Sequence, residues 1–151
     1  MITFATLDEL RYAAGRHLGW TDWVDITQER VNLFADATGD HQWIHVDVDR
    51  ANAESPFGGP IAHGFLTLSL SNLFLPQLID VPGASAGVNY GTGKVRFPSP
   101  VPVGSRVRGS AEITEVEDVS GGVQTTIAIT IHVEGQEKPA CVIESISRWL
   151  A

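Results

Sequence analysis

A long apolar segment, Ile61 to Leu75, most constrains how this chain can fold. It is too long for one typical strand, and its apolar residues point in every direction around a helix. The few polar residues within it are small, which permits close packing. Periodicity alone leaves two strands open, but length favours a helix that is buried on most sides. Pro76 is expected to end this helix, because proline cannot continue the hydrogen-bonding pattern.

After Gly83 the sequence changes to the alternation that is typical of β-strands. Apolar residues occupy every second position from Val123 to Glu134, and Ser120-Gly121-Gly122 before them indicates a hairpin turn. Arg106 to Val116 and Ala140 to Leu150 continue the pattern, and Val88 to Phe97 reads as strand material interrupted by glycine. The C-terminal half therefore predicts an antiparallel meander of about four strands.

The N-terminal half is expected to supply helices. Glu29 to Ala37 predicts a helix, with Thr27 as its N-cap and Gly39 as its terminator. A short helix over residues 7–18 and a strand over residues 20–26 are expected before it. A buried helix beside an antiparallel sheet indicates an α+β protein in which the sheet wraps around the helix. The length fits one domain, residues 1–151.

Composition excludes several classes of function. The formal net charge of -8 argues against a nucleic-acid partner, which needs a basic face. No segment reaches the length of a membrane span, and the N-terminus lacks the pattern of a signal peptide. Cys141 is the single cysteine, so no internal disulfide forms, and its apolar surroundings indicate a core residue. We therefore expect a cytoplasmic protein with no membrane partner.

The stretch Thr38-Gly39-Asp40-His41-Gln42-Trp43-Ile44-His45 carries the groups suited to chemistry. Asp40 follows the predicted helix end, and an imidazole, that of His45, comes five residues later. Taken alone, the stretch favours the simpler interpretation of a turn in which Asp40 bonds local amides and His45 packs or caps. His41 and His45 with Asp40 also suggest a metal site, but Gly39 should end the helix before them. No metal is therefore expected.

Three blocks of sequence share a pattern with a known family: Phe34 to His45, Gly59-Pro60-Ile61-Ala62-His63-Gly64 with the apolar segment after it, and Lys94 to Gly104. Together they resemble the MaoC-like family of (R)-specific enoyl-CoA hydratases. They stand in the family's order and cover most of the chain from about residue 25 onwards. The resemblance implies a hot-dog fold, an antiparallel sheet wrapped around a long central helix.

The resemblance also implies an activity and its residues. Asp40 and His45 match the pair that acts on one water as it adds to a trans-2-enoyl-CoA, giving the (R)-3-hydroxyacyl-CoA. The backbone N–H near Gly64, at the start of the central helix, is expected to bind the developing enolate oxygen. Coenzyme A enters as part of the substrate, and no separate cofactor is expected. The family further implies a homodimer whose sheets join edge to edge.

The chain departs from the family pattern at several positions. Gln42 and Trp43 stand where the motif usually has asparagine and proline, which affects the loop and the substrate preference. Asn72 is taken as the counterpart of a pocket serine that some members carry, with a satisfied core residue as the alternative reading. His63 is expected to shape the helix entrance or to bond a carbonyl. Gln42, His63, Gly64 and Asn72 are accordingly the predicted substrate-binding residues.

Two other functions remain open from the sequence. A thioesterase is the first, because hot-dog proteins also host that activity, and a non-catalytic acyl-CoA-binding subunit is the second. The acyl length and the carrier, coenzyme A or acyl carrier protein, are also open. Basic residues that could bind the coenzyme A phosphates, or simply form a solvated face, are Lys94, Arg96, Arg106 and Arg108.

Overall fold

The computed structural model describes residues 1–151, as six helices and eight strands. The helices are α1 (Leu7–Arg11), α2 (Gln28–Thr38), α3 (Trp43–Val46), α4 (Val48–Glu54), α5 (Gly64–Ser69) and α6 (Ser71–Leu78). The strands are β1 (Ile2–Thr3), β2 (Arg16–Trp20), β3 (Val24–Asp25), β4 (Ile79–Asp80), β5 (Ala86–Arg96), β6 (Arg106–Val119), β7 (Gly122–Val133) and β8 (Cys141–Leu150). No helix has both the length and the apolar character needed to cross a membrane.

The main sheet is antiparallel and has the strand order β2-β6-β7-β8-β5, with β3 also paired to β6. On β7 every second side chain is buried, from Val123 to Val133, as the alternation predicts. Gly121 turns the chain between β6 and β7 with φ of 83°, a conformation that glycine adopts without strain. The predicted hairpin is confirmed, and the predicted antiparallel meander holds for β6, β7 and β8, whereas β5 pairs with β8 instead of β6. The short strands β1 and β4 form a separate parallel pair.

The apolar segment packs against one face of this sheet as α5 and α6. Phe74 of α6 lies so close to β6 that a Cβ added at Gly109 would stand 2.8 Å from its ring. Glycine at that position lets the helix approach the sheet, and Phe74 is completely buried. Helix and sheet therefore share one continuous apolar core.

The prediction of a single helix ending at Pro76 is wrong in detail. The helix is interrupted at Leu70, whose amide bonds back to the carbonyls of Leu66 and Thr67, and it continues to Leu78. Pro76 lies inside α6. The carbonyl that loses its partner belongs to Asn72, an exposed residue, so solvent replaces the missing bond.

The prediction that this helix is buried on most sides is also incomplete. Phe65 is 67% exposed and Leu73 is 42% exposed, and both lie on one face with Asn72. The neighbouring edge strand β5 is exposed along most of its length. Within one chain, the sheet covers only the opposite side of the helix.

The N-terminal half agrees with the sequence at α2 and differs before it. Thr27 caps α2 by accepting from the amide of Arg30 at 3.1 Å, and Gly39 ends it with φ of 80°. The predicted helix over residues 7–18 stops at Arg11, because Arg16–Trp20 joins the sheet as β2. The predicted strand over residues 20–26 shrinks to Val24–Asp25. Pairing with β6, a distant partner, overrides local preference in this region.

Candidate active site

The loop between α2 and α3 brings the carboxylate and the imidazole of the sequence motif to one place. Gly39 reverses the chain, and the Asp40 carboxylate accepts from the amide of Gln42 at 3.3 Å. This local bond directs the chain into α3, whose single turn points His45 inward. The His45 residue is only 6% exposed, whereas the Asp40 side chain is 53% exposed.

Main-chain hydrogen bonds define the protonation of His45. Its Nδ1 lies 2.7 Å from the carbonyl oxygen of Ile61. Because a carbonyl only accepts, Nδ1 must carry the hydrogen, and Nε2 of the neutral ring is left with its lone pair. The side-chain amide of Gln28 donates to the backbone carbonyl of His45 at 2.7 Å. His45 is therefore held at both its ring and its backbone.

His63 joins the same site from the residue that precedes α5. It is 2% exposed, and its Nε2 donates to the carbonyl oxygen of Asp40 at 2.9 Å. Its ring stacks on that of His45, with centroids 3.9 Å apart, and also contacts Phe34 at 4.9 Å. The expectation that His63 bonds a carbonyl is confirmed, and the carbonyl belongs to the residue that carries the predicted catalytic carboxylate.

A pocket of about 230 Å³ opens onto these groups, lined by Phe34, Thr38, Asp40, His45, His63, Gly64 and Phe65. Side-chain oxygen and nitrogen atoms of Asp40, His45 and His63 lie within 4.8 Å of one another. A water at hydrogen-bond distance from both the Asp40 carboxylate and the His45 ring fits such a separation. The arrangement can hold one water between a carboxylate and an imidazole.

The electrostatics of His45 favour a neutral ring. Burial lowers its pKa below the ordinary value, and the neighbouring His63 adds to this effect. The bond to Ile61 and the charge of Asp40 act in the opposite direction and only partly offset it. A neutral imidazole with a free Nε2 lone pair is ready to accept a proton.

Gly64 lines the same pocket and is the first residue of α5. The amides of Gly64 and Phe65 precede the first intrahelical bond, and no loop carbonyl accepts from them. The Phe97 ring packs over Gly64, 3.4 Å from the position of an added Cβ. An unpaired donor therefore stands beside the Asp40–His45 pair.

Two predicted substrate-binding residues are not brought to this pocket. The Gln42 side chain is exposed and makes no hydrogen bond, so this residue contributes its backbone to the loop. Asn72 accepts a hydrogen bond from Asn89 at 2.9 Å, and together they line two separate pockets between α6 and β5. A substrate contact of Asn72 with the reacting atoms therefore has no support in this arrangement.

The basic residues named from the sequence fall into two groups. Lys94 and Arg96 lie on β5, and Arg96 precedes Phe97, which packs on Gly64. Arg106 and Arg108 lie on β6, three strands away in the sheet. Arg106 pairs with Glu134 at 2.5 and 2.7 Å, and the Arg108 guanidinium lies over Trp20 and Trp23.

Sequence reasoning missed Gln28, which holds the His45 backbone, and the pocket-lining residues Phe34, Thr38 and Phe65. Phe34 and Thr38 lie one helical turn apart, and the Thr38 hydroxyl bonds the Phe34 carbonyl at 2.8 Å. That spacing on the last turn before Gly39 was a signal that their side chains share a face next to Asp40. Gln28 carries no such signal, because its partner is seventeen residues away.

The residues that could hold a metal ion here are Asp40, His45 and His63. His41, considered with them from the sequence, instead pairs with Asp36 at 2.9 Å. A carboxylate with two imidazoles suits a divalent transition metal by donor type. However, Nδ1 of His45 and Nε2 of His63 already donate to main-chain carbonyls, so each ring has one nitrogen left for a ligand. The absence of a metal remains a prediction.

Comparison with known proteins supports the sequence resemblance. The model of the MaoC like domain matches residues 9–135. The 3-hydroxyacyl-thioester dehydratase Z of Mycobacterium tuberculosis is 57% identical over 152 residues, covering 100% of both chains. The structure of the R-hydratase PhaJ1 from Pseudomonas aeruginosa is 22% identical, with a TM-score of 0.76, and covers 96% of this chain and 85% of that one.

A third similar structure is an assembly of unlike chains. It is the ChsH1-ChsH2 complex from Mycobacterium tuberculosis, at 17% identity and a TM-score of 0.71, covering 93% of this chain and 99% of that one. At such identities the two structural likenesses establish the fold alone. The predicted hot-dog fold is thereby confirmed.

Fold, site and relatives define an enzyme that adds or removes water, a hydro-lyase. The chain belongs to the MaoC-like dehydratase family. The prediction of family and enzyme class from three short blocks of sequence is confirmed.

Proposed function

We propose that this protein is an (R)-specific enoyl-CoA hydratase of fatty-acid metabolism. It adds water to a trans-2-enoyl-CoA to give the (R)-3-hydroxyacyl-CoA, and it catalyses the reverse dehydration. The observation that carries the proposal is the meeting of Asp40, His45 and the unpaired amide of Gly64 at one pocket. These groups supply the base, the acid and the anion stabilisation that hydration of a conjugated thioester requires.

In this mechanism one water lies between the Asp40 carboxylate and Nε2 of His45. Nε2 accepts a proton as the water oxygen bonds to C3 of the substrate. Electron density moves from the double bond to the thioester oxygen, which takes a hydrogen bond from the Gly64 amide. A proton from the Asp40–His45 unit then reaches C2, so the thioester gains one hydrogen and one hydroxyl group in total.

The test combines two readouts on one enoyl-CoA substrate. Hydration removes the absorbance of the conjugated thioester, and hydrolysis releases a free thiol. We expect loss of absorbance without thiol release. Asp40→Asn and His45→Gln should each lower kcat by about 10² to 10⁴, and the double variant should lose little more, because both side chains act on one water. His41→Gln is the matched control, since His41 is exposed and directed to Asp36.

Other results would contradict the proposal. Thiol release abolished by the same variants would make the protein a thioesterase. Binding of acyl-CoA without either reaction would indicate a non-catalytic subunit. Near-normal turnover of His45→Gln would show that the assigned base is wrong. Repeating the assay over a series of chain lengths, and with enoyl groups on acyl carrier protein, would define acyl length and carrier.

A homodimer formed through β5 is part of the same proposal. β5 is an edge strand exposed along most of its length, beside the exposed Phe65 and Leu73. Pairing the β5 strands of two chains would cover both the exposed strand edge and these apolar side chains. Val88→Lys on β5 should convert a dimer to a monomer in sedimentation velocity at micromolar concentration, and His17→Lys on the other edge strand is the control. A wild-type monomer would contradict self-pairing and would favour an unlike partner chain.

A cytoplasmic location also belongs to this proposal. Its support is Cys141, which is buried and unpaired, as in proteins of reducing compartments. Burial also raises the pKa of this thiol to about 11, which excludes a nucleophilic role at neutral pH.

A further inference from the structure

His63 makes two contacts with the proposed catalytic pair and a third with Phe34. Its Nε2 donates to the Asp40 carbonyl at 2.9 Å, and its ring stacks on His45 with centroids 3.9 Å apart. Phe34 contacts the same ring at 4.9 Å. The side chain is 3% exposed, so nearly all of its surface serves these contacts.

We propose that His63 is a positioning residue that holds Asp40 and His45 in register through a main-chain hydrogen bond and a stacked ring. The proposal rests on the hydratase function proposed above. His63 acts on the loop and on the neighbouring imidazole, and it takes no proton from the substrate or from water.

The bond from His63 matters because little else holds Asp40. Its carboxylate is half exposed, and the local bond from the Gln42 amide is long, at 3.3 Å. Gly39 before it is in the left-handed conformation, so the chain turns sharply at this point. A donor from a fully buried ring, twenty-three residues away, fixes the Asp40 backbone against the start of α5.

The two stacked imidazoles carry opposite tautomers. His45 donates through Nδ1 to Ile61, and His63 donates through Nε2 to Asp40. Nδ1 of His63 is buried and has no hydrogen-bond partner, so a second proton there would have no acceptor. The His63 ring presents its flat face to His45. Rotation of the His45 ring would break both the stack and the bond to Ile61.

The experiment separates the hydrogen bond from the ring. His63→Phe keeps an aromatic ring but removes the donor, whereas His63→Gln keeps a nitrogen donor at similar reach but removes the ring. We expect His63→Phe to lower kcat by about 10- to 100-fold, as loss of supporting residues commonly does, with KM within about threefold of wild type. His63→Gln should recover at least about half of that loss on a logarithmic scale. Thermal melts must show that both variants fold.

A second readout does not depend on turnover. In protein labelled with ¹⁵N-histidine, NMR should show His45 protonated at Nδ1 and His63 at Nε2. In His63→Gln, which lacks the stacked ring, the His45 signal should indicate a mixture of tautomers, and in His63→Phe, which keeps an aromatic ring at this place, it should stay closer to wild type. A merely structural role would leave the His45 tautomer unchanged in both folded variants.

Two results would overturn the role of His63. One is a folded His63→Phe variant with wild-type kcat, and the other is an unchanged His45 tautomer in a folded His63→Gln variant. Failure of the proposed function has a different signature, since wild-type protein would then not hydrate enoyl-CoA at all. In that case the NMR comparison would still decide whether His63 orders the His45 ring.

Discussion

Replacing Gly64 by proline would test the proposed anion donor directly, because proline removes the amide hydrogen. Gly64 is the first helical residue of α5, with His63 as the N-cap, and this is the helical position that proline favours. His63 has φ of -59° and ψ of 140°, which is the extended conformation required before proline. Gly64 also does not have a positive φ, so its backbone conformation is open to proline. The variant is therefore expected to fold.

The expected loss of kcat depends on the hydrogen bond that the Gly64 amide donates and on the neighbouring donor that remains. Loss of one preorganised donor to a developing oxyanion costs about 10² to 10³ in kcat, or about 3 to 4 kcal/mol. The adjacent Phe65 amide is also unpaired, so partial compensation places the expected loss near 10², the lower end of that range. Gly64→Ala keeps the donor, and its methyl would meet the Phe97 ring at 3.4 Å, close to ordinary contact. The alanine variant should lose less than about tenfold, well below the loss of a donor.

The assay is steady-state loss of enoyl absorbance for wild type, Gly64→Pro and Gly64→Ala. Circular dichroism and thermal melts must accompany it. If the alanine variant were as impaired as the proline variant, close approach of substrate rather than the hydrogen bond would explain the glycine. If a folded proline variant turned over normally, the oxyanion donor would have to lie elsewhere.

Three further predictions concern pH, substrate affinity and metal. Burial lowers the pKa of His45 from 6.5, so the ring stays neutral in mildly acidic solution, and kcat/KM should fall only below pH 6.5. A midpoint of the kcat/KM profile above pH 6.5 would contradict the role of His45 as the base. Because the His45 pKa is lower in the folded protein than in the unfolded chain, the folded state loses stability when this ring is protonated. That stability is fully present above pH 6.5 and is lost as pH falls through the folded pKa, which thermal melts at acid pH can follow. Arg96→Gln, one residue before the Phe97 that packs on Gly64, should raise KM for enoyl-CoA severalfold at unchanged kcat, whereas replacement of Arg106, which pairs with Glu134, by glutamine should not. Equal effects would exclude a specific phosphate contact. Prolonged dialysis against EDTA should leave activity intact, and loss that zinc restores would show a metal at the site.

Features that depend on neighbouring residues were predictable from the sequence. The N-cap at Thr27 and the left-handed Gly39 follow from the intrinsic preferences of those residues, and both are present. The alternation along β7 predicts which side chains are buried, because successive side chains of a strand point to opposite faces. The spacing of Asp40 and His45 alone did not decide the chemistry; their proposed roles came from the resemblance of three sequence blocks to the MaoC-like family.

Long-range packing explains the features that the sequence left open or suggested wrongly. The residues 16–20 joined the sheet instead of a helix, because the partner strand β6 lies far along the chain. Asn72 was assigned to the site by its place on the central helix, but that part of the helix faces Asn89 and β5. A position on a helix defines a direction only once the packing of that helix is known.

The tautomers of the two histidines illustrate the same division. Sequence identifies both as imidazoles, but protonation of each ring depends on a carbonyl brought to it by the fold, that of Ile61 or Asp40. In both contacts the ring and its carbonyl partner are far apart in sequence, so no local sequence pattern predicts them. The sequence carries the carboxylate and the imidazole that are proposed to react, and the fold brings the Ile61 carbonyl to Nδ1 of His45, which leaves Nε2 with a free lone pair.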